Sequence, residues 1–285
     1  MNERIEILKF DIKRPIKIIA LSDIQLGNNK YNNEATLCAL SRLRESVLKE
    51  KENRGISAIL VLAGDIIEPN TSPLLVSELN KFLDTFDLVF IVRGNHDSIV
   101  DLSKMNSKKI YNIEFKIIEF NSGQFFITGY YPVEDESLKN EFLLKLKDIR
   151  KESKRPIILV SHWPPYGILD SAEVDKKHTI DPRTVHQGDK FMREICNEIE
   201  NYILICGHLA RKGGNGKKTE KGLVFNVADF GCKKGRELKS FIVLEIEIDE
   251  NVKIPRFTHP PIEFENEDEF IDFLFEDAEE LLGIE

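Results

Sequence analysis

Two hydrophobic periods alternate along this chain. IKIIAL at 16–21, AILVLA at 58–63, LVFIVR at 88–93, PIILV at 156–160 and ILIC at 203–206 are short, largely apolar and rich in β-branched residues. Runs of that length and composition predict strands buried on both faces. The full set of predicted strands is 16–22, 58–63, 88–93, 115–120, 124–129, 156–161, 203–206, 222–228 and 240–247. Between them lie segments of a different period. Leu37, Leu40, Leu43 and Val47 recur at helical spacing, as expected of a helix laid on a sheet. Helices are predicted over 33–50, 73–85, 136–152 and 189–201. The early alternation of strand and helix implies right-handed parallel crossovers. The later strands, with less helix between them, are expected to pair antiparallel. The result is an α/β fold: a two-sheet β-sandwich with helices outside.

Each of the five apolar runs ends in a polar cluster. These are Ser22-Asp23-Ile24-Gln25, Gly64-Asp65-Ile66-Ile67-Glu68, Gly94-Asn95-His96-Asp97, Ser161-His162 and Gly207-His208-Leu209-Ala210. Taken singly, Asp23, Asp65 or Asn95 would read as a helix cap, and a lone His as a satisfied structural group. Side chains just past the carboxyl ends of several buried strands can converge on one point. Asp, Asn and His converging there make a metal site.

In this order the clusters resemble the calcineurin-like metallophosphoesterase superfamily, whose pattern is D-x-H, G-D-x-x-[DE], G-N-H-[DE], H and G-H-x-H. The resemblance runs from Asp23 to Ala210. It implies the same sandwich, with the site at the carboxyl ends of the strands, and two metal positions that clamp a phosphate between them. By the resemblance Asp65 bridges both metals, Asn95, His162 and His208 complete one position, and Asp23 serves the other. The second position departs from the pattern twice: Gln25 and Ala210 stand where it has His. Gln25 retains a neutral carbonyl oxygen and is expected as a weak ligand; Ala210 offers nothing. One tight and one weakened site are therefore expected. Divalent Mn²⁺ is the expected ion, with Mg²⁺, Fe²⁺, Ni²⁺ and Zn²⁺ as alternatives.

The resemblance also assigns chemistry. A metal-activated water would attack the phosphoester, His96 would act as general acid, and Asp97 would orient His96. Arg93, Trp163, His186 and Arg211 are candidates for the substrate side. The run from Ser161 to Asp170, with His186-Gln187-Gly188, looks like a branch that includes small phosphodiesterase-like members, so phosphodiester hydrolysis is the leading expectation. Two alternatives stand beside it. One is a one-metal relative that binds a nucleotide or phosphorylated ligand without efficient turnover; the other is a nuclease.

Bulk properties trim these options. A formal net charge of -9 and no basic stripe argue against nucleic acid as partner and favour a small phosphoester or nucleotide. The start MNERIEILKF has no apolar leader, and no run reaches the roughly 18 apolar residues of a membrane span, so a cytoplasmic protein without membrane contact is expected. Cys38, Cys196, Cys206 and Cys232 form no C-x-x-C pair and read as reduced thiols. Residues 1–255 are expected to form the catalytic domain. Residues 256–285 form an acidic extension in which Phe270, Ile271, Leu274, Phe275, Ala278, Leu281 and Leu282 fall on one helical face. That face is expected to dock on the domain, with homodimerisation through it as the sharper alternative.

Overall fold

The computed structural model describes residues 4–12, 15–97, 103–105, 109–121, 123–173, 184–209, 212 and 214–231, together with the backbone of 244–248 and 256–258. Its strands are β1 (Glu6–Phe10), β2 (Ile16–Leu21), β3 (Ser57–Ala63), β4 (Leu88–Val92), β5 (Ile110–Asn112), β6 (Lys116–Phe120), β7 (Phe125–Tyr130), β8 (Ile157–Ser161), β9 (Ser171–Glu173), β10 (Thr184–His186), β11 (Tyr202–Cys206), β12 (Gly216–Lys218), β13 (Gly222–Asn226), β14 (Leu244–Ile248) and β15 (Arg256–Thr258). The helices are α1 (Asn33–Arg54), α2 (Pro73–Leu83), α3 (Glu136–Glu152) and α4 (Lys190–Glu198). Each starts on a side-chain cap: Asn32, Ser72, Asp135 and Asp189 accept from backbone N–H groups two or three residues into the first turn. α1 stops where Gly55 turns left-handed.

The strands form two layers. One sheet runs β15-β14-β2-β3-β4-β5 and the other β1-β6-β7-β8-β11-β13-β12, with β9 and β10 as a separate antiparallel pair. Alternate side chains of both sheets interdigitate. Ile18, Ala20, Val61, Phe90 and Val92 from one meet Phe120, Ile127, Ile158, Val160 and Ile205 from the other. The opposite faces are covered too. Ile19, Leu21, Leu60 and Leu62 pack under α1 and α2, and Ile157, Leu159 and Leu204 under α3 and α4. That double burial is why these strands read as unbroken apolar runs.

The expected antiparallel pairing of the later strands is met at β6–β7 and at β14 with β2, and is corrected for the rest. β7, β8, β11 and β13 are all parallel: α3 supplies the crossover from β7 to β8, α4 that from β8 to β11, and the chain reaches β13 from β11 by way of β12. Antiparallel pairs fall at β6–β7 and at one end of each sheet, where β12 pairs with β13 and β14 with β2 and β15. Just past the expected domain boundary at 255 lies one more strand. β15 pairs with β14 and so belongs to the sheet; residues 259–285 lie outside the described residues. Among the described residues no helix is long and apolar enough to cross a membrane.

Candidate metal centre

The parallel strands of both layers end at the same edge of the sandwich, and the loops that leave β2, β3, β4, β8 and β11 meet there. Four of the residues just past those ends sit in the left-handed region: Asp23 at φ 57°, Gln25 at 48°, Asp65 at 55° and His208 at 69°. Such φ values cost a non-glycine residue about 1 kcal/mol or more and persist only where the surroundings enforce them. Here the loops enforce one another. Asp23 N donates to Gly64 O at 3.0 Å, Gln25 N to Asp65 O at 2.9 Å, and Gly207 N to His162 O at 3.0 Å. Two glycines permit the close approach. A Cβ on Gly94 would run into Asp65, and one on Gly207 would run into Ser22 Oγ and Asp23 Oδ2.

Four of the expected ligands come together. Asn95 Oδ1 lies 3.0 Å from His162 Nε2 and 3.0 Å from His208 Nδ1. The two imidazole nitrogens are 3.2 Å apart, and Asp65 Oδ2 is 3.4 Å from His162 Nε2. Donors held about 2.1 Å from one cation sit about 3.0 Å apart at octahedral angles and about 3.4 Å at tetrahedral ones. Each of these four distances is one that two donors sharing a divalent ion would show. His162 is fully buried, and its Nδ1–H donates to Ala63 O at 2.8 Å, which leaves the Nε2 lone pair for a metal. Asp23 is within reach as well: one ligand atom each of Asp23, Asp65 and His162 lie within 4.8 Å of one another.

The electrostatics are those of a centre built around positive charge. Burial pushes the Asp23 carboxyl up to about 6, against the pull of His162. Burial also works against ionised Asp65, but the His162 hydrogen bond and charge outweigh it and hold the carboxyl below its usual range. Burial would press His162 down; its hydrogen bond to Asp65 and the charges of Asp23 and Asp65 raise it to about 9 instead. His208, lowered by burial and then by His162, falls to about 4. A metal must therefore displace the His162 proton over a wide range. Apparent affinity is expected to rise about tenfold per pH unit from pH 7 towards 9, with about one proton released per ion. Calorimetric titration in buffers of differing ionisation enthalpy checks both.

His96 is half-exposed and faces outward from the cluster. Its Nδ1 pairs with Glu68 Oε1 at 2.9 Å. The expected role of Asp97 is corrected. Its carboxylate does not orient His96 but accepts backbone N–H groups, from Asp65 at 2.6 Å, Ile66 at 2.8 Å, Ile67 at 3.3 Å and Gly94 at 2.9 Å. In a tight turn, adjacent side chains leave in different directions. Glu68 is the carboxylate that sets His96. It was visible as the last residue of the second cluster, although nothing in the sequence pairs it with His96.

The remaining candidates divide. Trp163 stacks edge-on against His162, with ring centroids 5.0 Å apart, and also touches His208 and Tyr131, so it walls the cluster. Arg93 is not free to clamp a phosphate: Nε and Nη2 are engaged by Glu114, and the guanidinium lies 4.2 Å over the Tyr131 ring. His186 does not join the cluster; its Nδ1 pairs with Asp170 at 2.9 Å, beside Tyr166. Arg211, Ala210 and Cys232 lie outside the described residues.

The weakened position fares differently. Gln25 turns its nitrogen, not its carbonyl, towards the centre: Nε2 is 3.5 Å from Asp65 Oδ2, and Oε1 accepts from Asn28 at 3.1 Å. As oriented, the residues present there do not fit a second cation.

A family model described as calcineurin-like phosphoesterase matches residues 16–212. No curated protein matches the chain. Among solved structures, the chain resembles GAP50, the anchor in the inner membrane complex of Plasmodium, at 12% identity over 88% of each chain, with a TM-score of 0.51. It also resembles the Thermus thermophilus sulfate thiohydrolase SoxB in complex with glycerol, at 12% identity and a TM-score of 0.50, covering 93% of this chain and 60% of that one. At such identities the likeness is one of fold.

Proposed function

The chain belongs to the calcineurin-like phosphoesterase family, and from that premise we propose that it hydrolyses phosphodiesters with a divalent metal, Mn²⁺ in the first instance. The observation that carries this reading is the four-donor cluster of Asp65, Asn95, His162 and His208, with spacings of 3.0–3.4 Å, beside an outward-facing His96. When bound, the ion offsets the phosphate charge and lowers the pKa of a coordinated water. The chain's own residues do the rest. Asp65, Asn95, His162 and His208 hold the ion, and Ala63 O fixes the His162 tautomer. Trp163 covers two of the imidazoles and limits water access to them. Glu68 keeps a proton on His96 Nδ1, which leaves Nε2 to deliver one to the leaving oxygen. An alkyl ester needs this more than an ester of a good leaving group, because an alkoxide departs poorly unprotonated.

Hydrolysis of bis(p-nitrophenyl) phosphate by metal-stripped protein given excess Mn²⁺ is the direct test; no metal-dependent turnover would sink the reading. His96→Ala is expected to lower kcat on an alkyl diester by roughly 10²–10⁴-fold. The loss should be smaller on p-nitrophenyl esters, whose leaving group needs little protonation, and metal content should not change. Equal losses on both substrates would remove His96 from the acid role.

A second reading has an observation of its own. Ala210 and the reversed carboxamide of Gln25 remove ligands from one position, as expected of a relative that binds a phosphorylated ligand without turnover. The same assay separates the two readings.

A further inference from the structure

We propose that the position beside the four-donor cluster is taken by the carboxamide of Gln25 instead of a second cation, so that the centre works with one divalent ion and a Gln25 N–H as its second contact to the phosphoryl group. The proposal rests on the phosphoesterase reading above.

A donor inventory comes first. The family pattern gives the second position two carboxylates and two imidazoles; here Gln25 and Ala210 replace both imidazoles. On Asp65 one oxygen is tied to the backbone and the other is the one given to the four-donor cluster. Oδ1 accepts the His96 backbone N–H at 2.9 Å, and Oδ2 faces His162 Nε2 and Gln25 Nε2. On Asp23, Oδ2 accepts from Ser22 Oγ at 2.6 Å and from His208 N at 3.0 Å. Among the described residues what remains is one carboxylate oxygen, far short of the roughly six oxygen ligands a hard divalent ion takes.

The orientation of Gln25 follows from a chain of donors and acceptors. Asn28 Oδ1 accepts from the Lys30 backbone N–H at 3.0 Å, so its nitrogen must point the other way. That nitrogen donates to Glu68 Oε1 at 2.6 Å and to Gln25 Oε1 at 3.1 Å. With its carbonyl held by Asn28, Gln25 can only turn its NH₂ towards Asp65. The residue is buried, 8% exposed, and its backbone N is pinned to Asp65 O. One of its N–H groups meets Asp65 Oδ2; the other has no protein acceptor among the described residues. Asn28 is thus a positioning residue. Through Glu68 the same chain reaches His96, the expected acid.

The exchange has a consequence for substrate class. Two cations suit a dianionic monoester. One cation and a neutral N–H donor offer less positive charge, which suits the single charge of a diester.

The test counts metal without relying on turnover. Protein stripped with chelator, reloaded with excess Mn²⁺ and desalted is expected to retain about one ion per chain by elemental analysis. Its electron paramagnetic resonance should be that of isolated Mn²⁺. Gln25→His combined with Ala210→His should raise the count towards two, with the signal of a coupled pair. Two coupled ions in the wild type would overturn the proposal. So would equal affinity for inorganic phosphate, by calorimetry, in Mn²⁺-loaded wild type and Gln25→Leu; the variant is expected to bind roughly tenfold more weakly. If the wild type holds one ion yet cleaves no diester, the phosphoesterase reading fails while the ion count stands.

Discussion

Asp97→Ala is expected to loosen the metal-binding end of the protein rather than merely slow a proton transfer. The Asp97 carboxylate gathers four backbone N–H groups, those of Asp65, Ile66, Ile67 and Gly94, from two different loops. Burial raises its pKa despite those donors. Deleting it orphans amides whose carriers, Ile66 and Ile67, are wholly buried. An unsatisfied buried donor costs about 1–3 kcal/mol. With water reaching part of the gap, the expected total is about 3–5 kcal/mol, read as a lower urea midpoint at unchanged slope. Asp97→Asn should recover part of the loss, because its carbonyl can still accept while its NH₂ faces other donors. His96→Ala, by contrast, should leave the midpoint near that of the wild type. If Asp97→Ala kept full stability and lost only turnover, the structural role assigned to it would be wrong.

Asp65→Asn is expected to have the largest effect on activity. Asp65 supplies the only carboxylate of the four-donor cluster and also ties down the loop after β4 through the His96 N–H. The amide is nearly isosteric, so the fold should survive. The change removes a full negative charge and puts an N–H donor on one of the two oxygen positions. Altering an outer partner of a metal ligand commonly costs 10–100-fold in affinity or activity; removing the charged ligand itself should cost roughly 10³-fold or more in both. Metal content after desalting, measured beside kcat, checks this. A variant that kept its metal and its rate would take Asp65 out of the centre.

Much of this was legible in the chain. β2, β3, β4, β8 and β11 announce themselves because both faces are buried, and their carboxyl ends carry the ligands. β1 was missed because EILKF is an edge strand, half exposed and carrying charges, and β5 and β12 because three residues are too few to show a period. The parallel sense of β7, β8, β11 and β13 depends on where the connections between them cross the sheet, which composition does not reveal. Within the site, residue identities pointed to the cluster of Asp65, Asn95, His162 and His208, but not to the direction of each side chain. Asp97 follows His96 in sequence yet turns into the backbone, while Glu68, from another loop, takes its place. Gln25 looked like a weak oxygen donor until Asn28, anchored by Lys30, turned its nitrogen inward.

Asp65 and Asn95 follow strands of one sheet; His162 and His208 follow strands of the other. A bound ion would therefore act as a buckle between two leaves that are otherwise held by the apolar layer behind it and by a few hydrogen bonds at that edge, His162 Nδ1–H to Ala63 O and His208 N–H to Asp23 Oδ2 among them. Parting the leaves at that edge requires releasing the ion, which adds about 4 kcal/mol when free metal stands a thousandfold above its dissociation constant. Starved of metal, the same edge would open to proteases long before the rest of the molecule unfolds. The lifetime of the chain would then track the metal supply that also sets its activity.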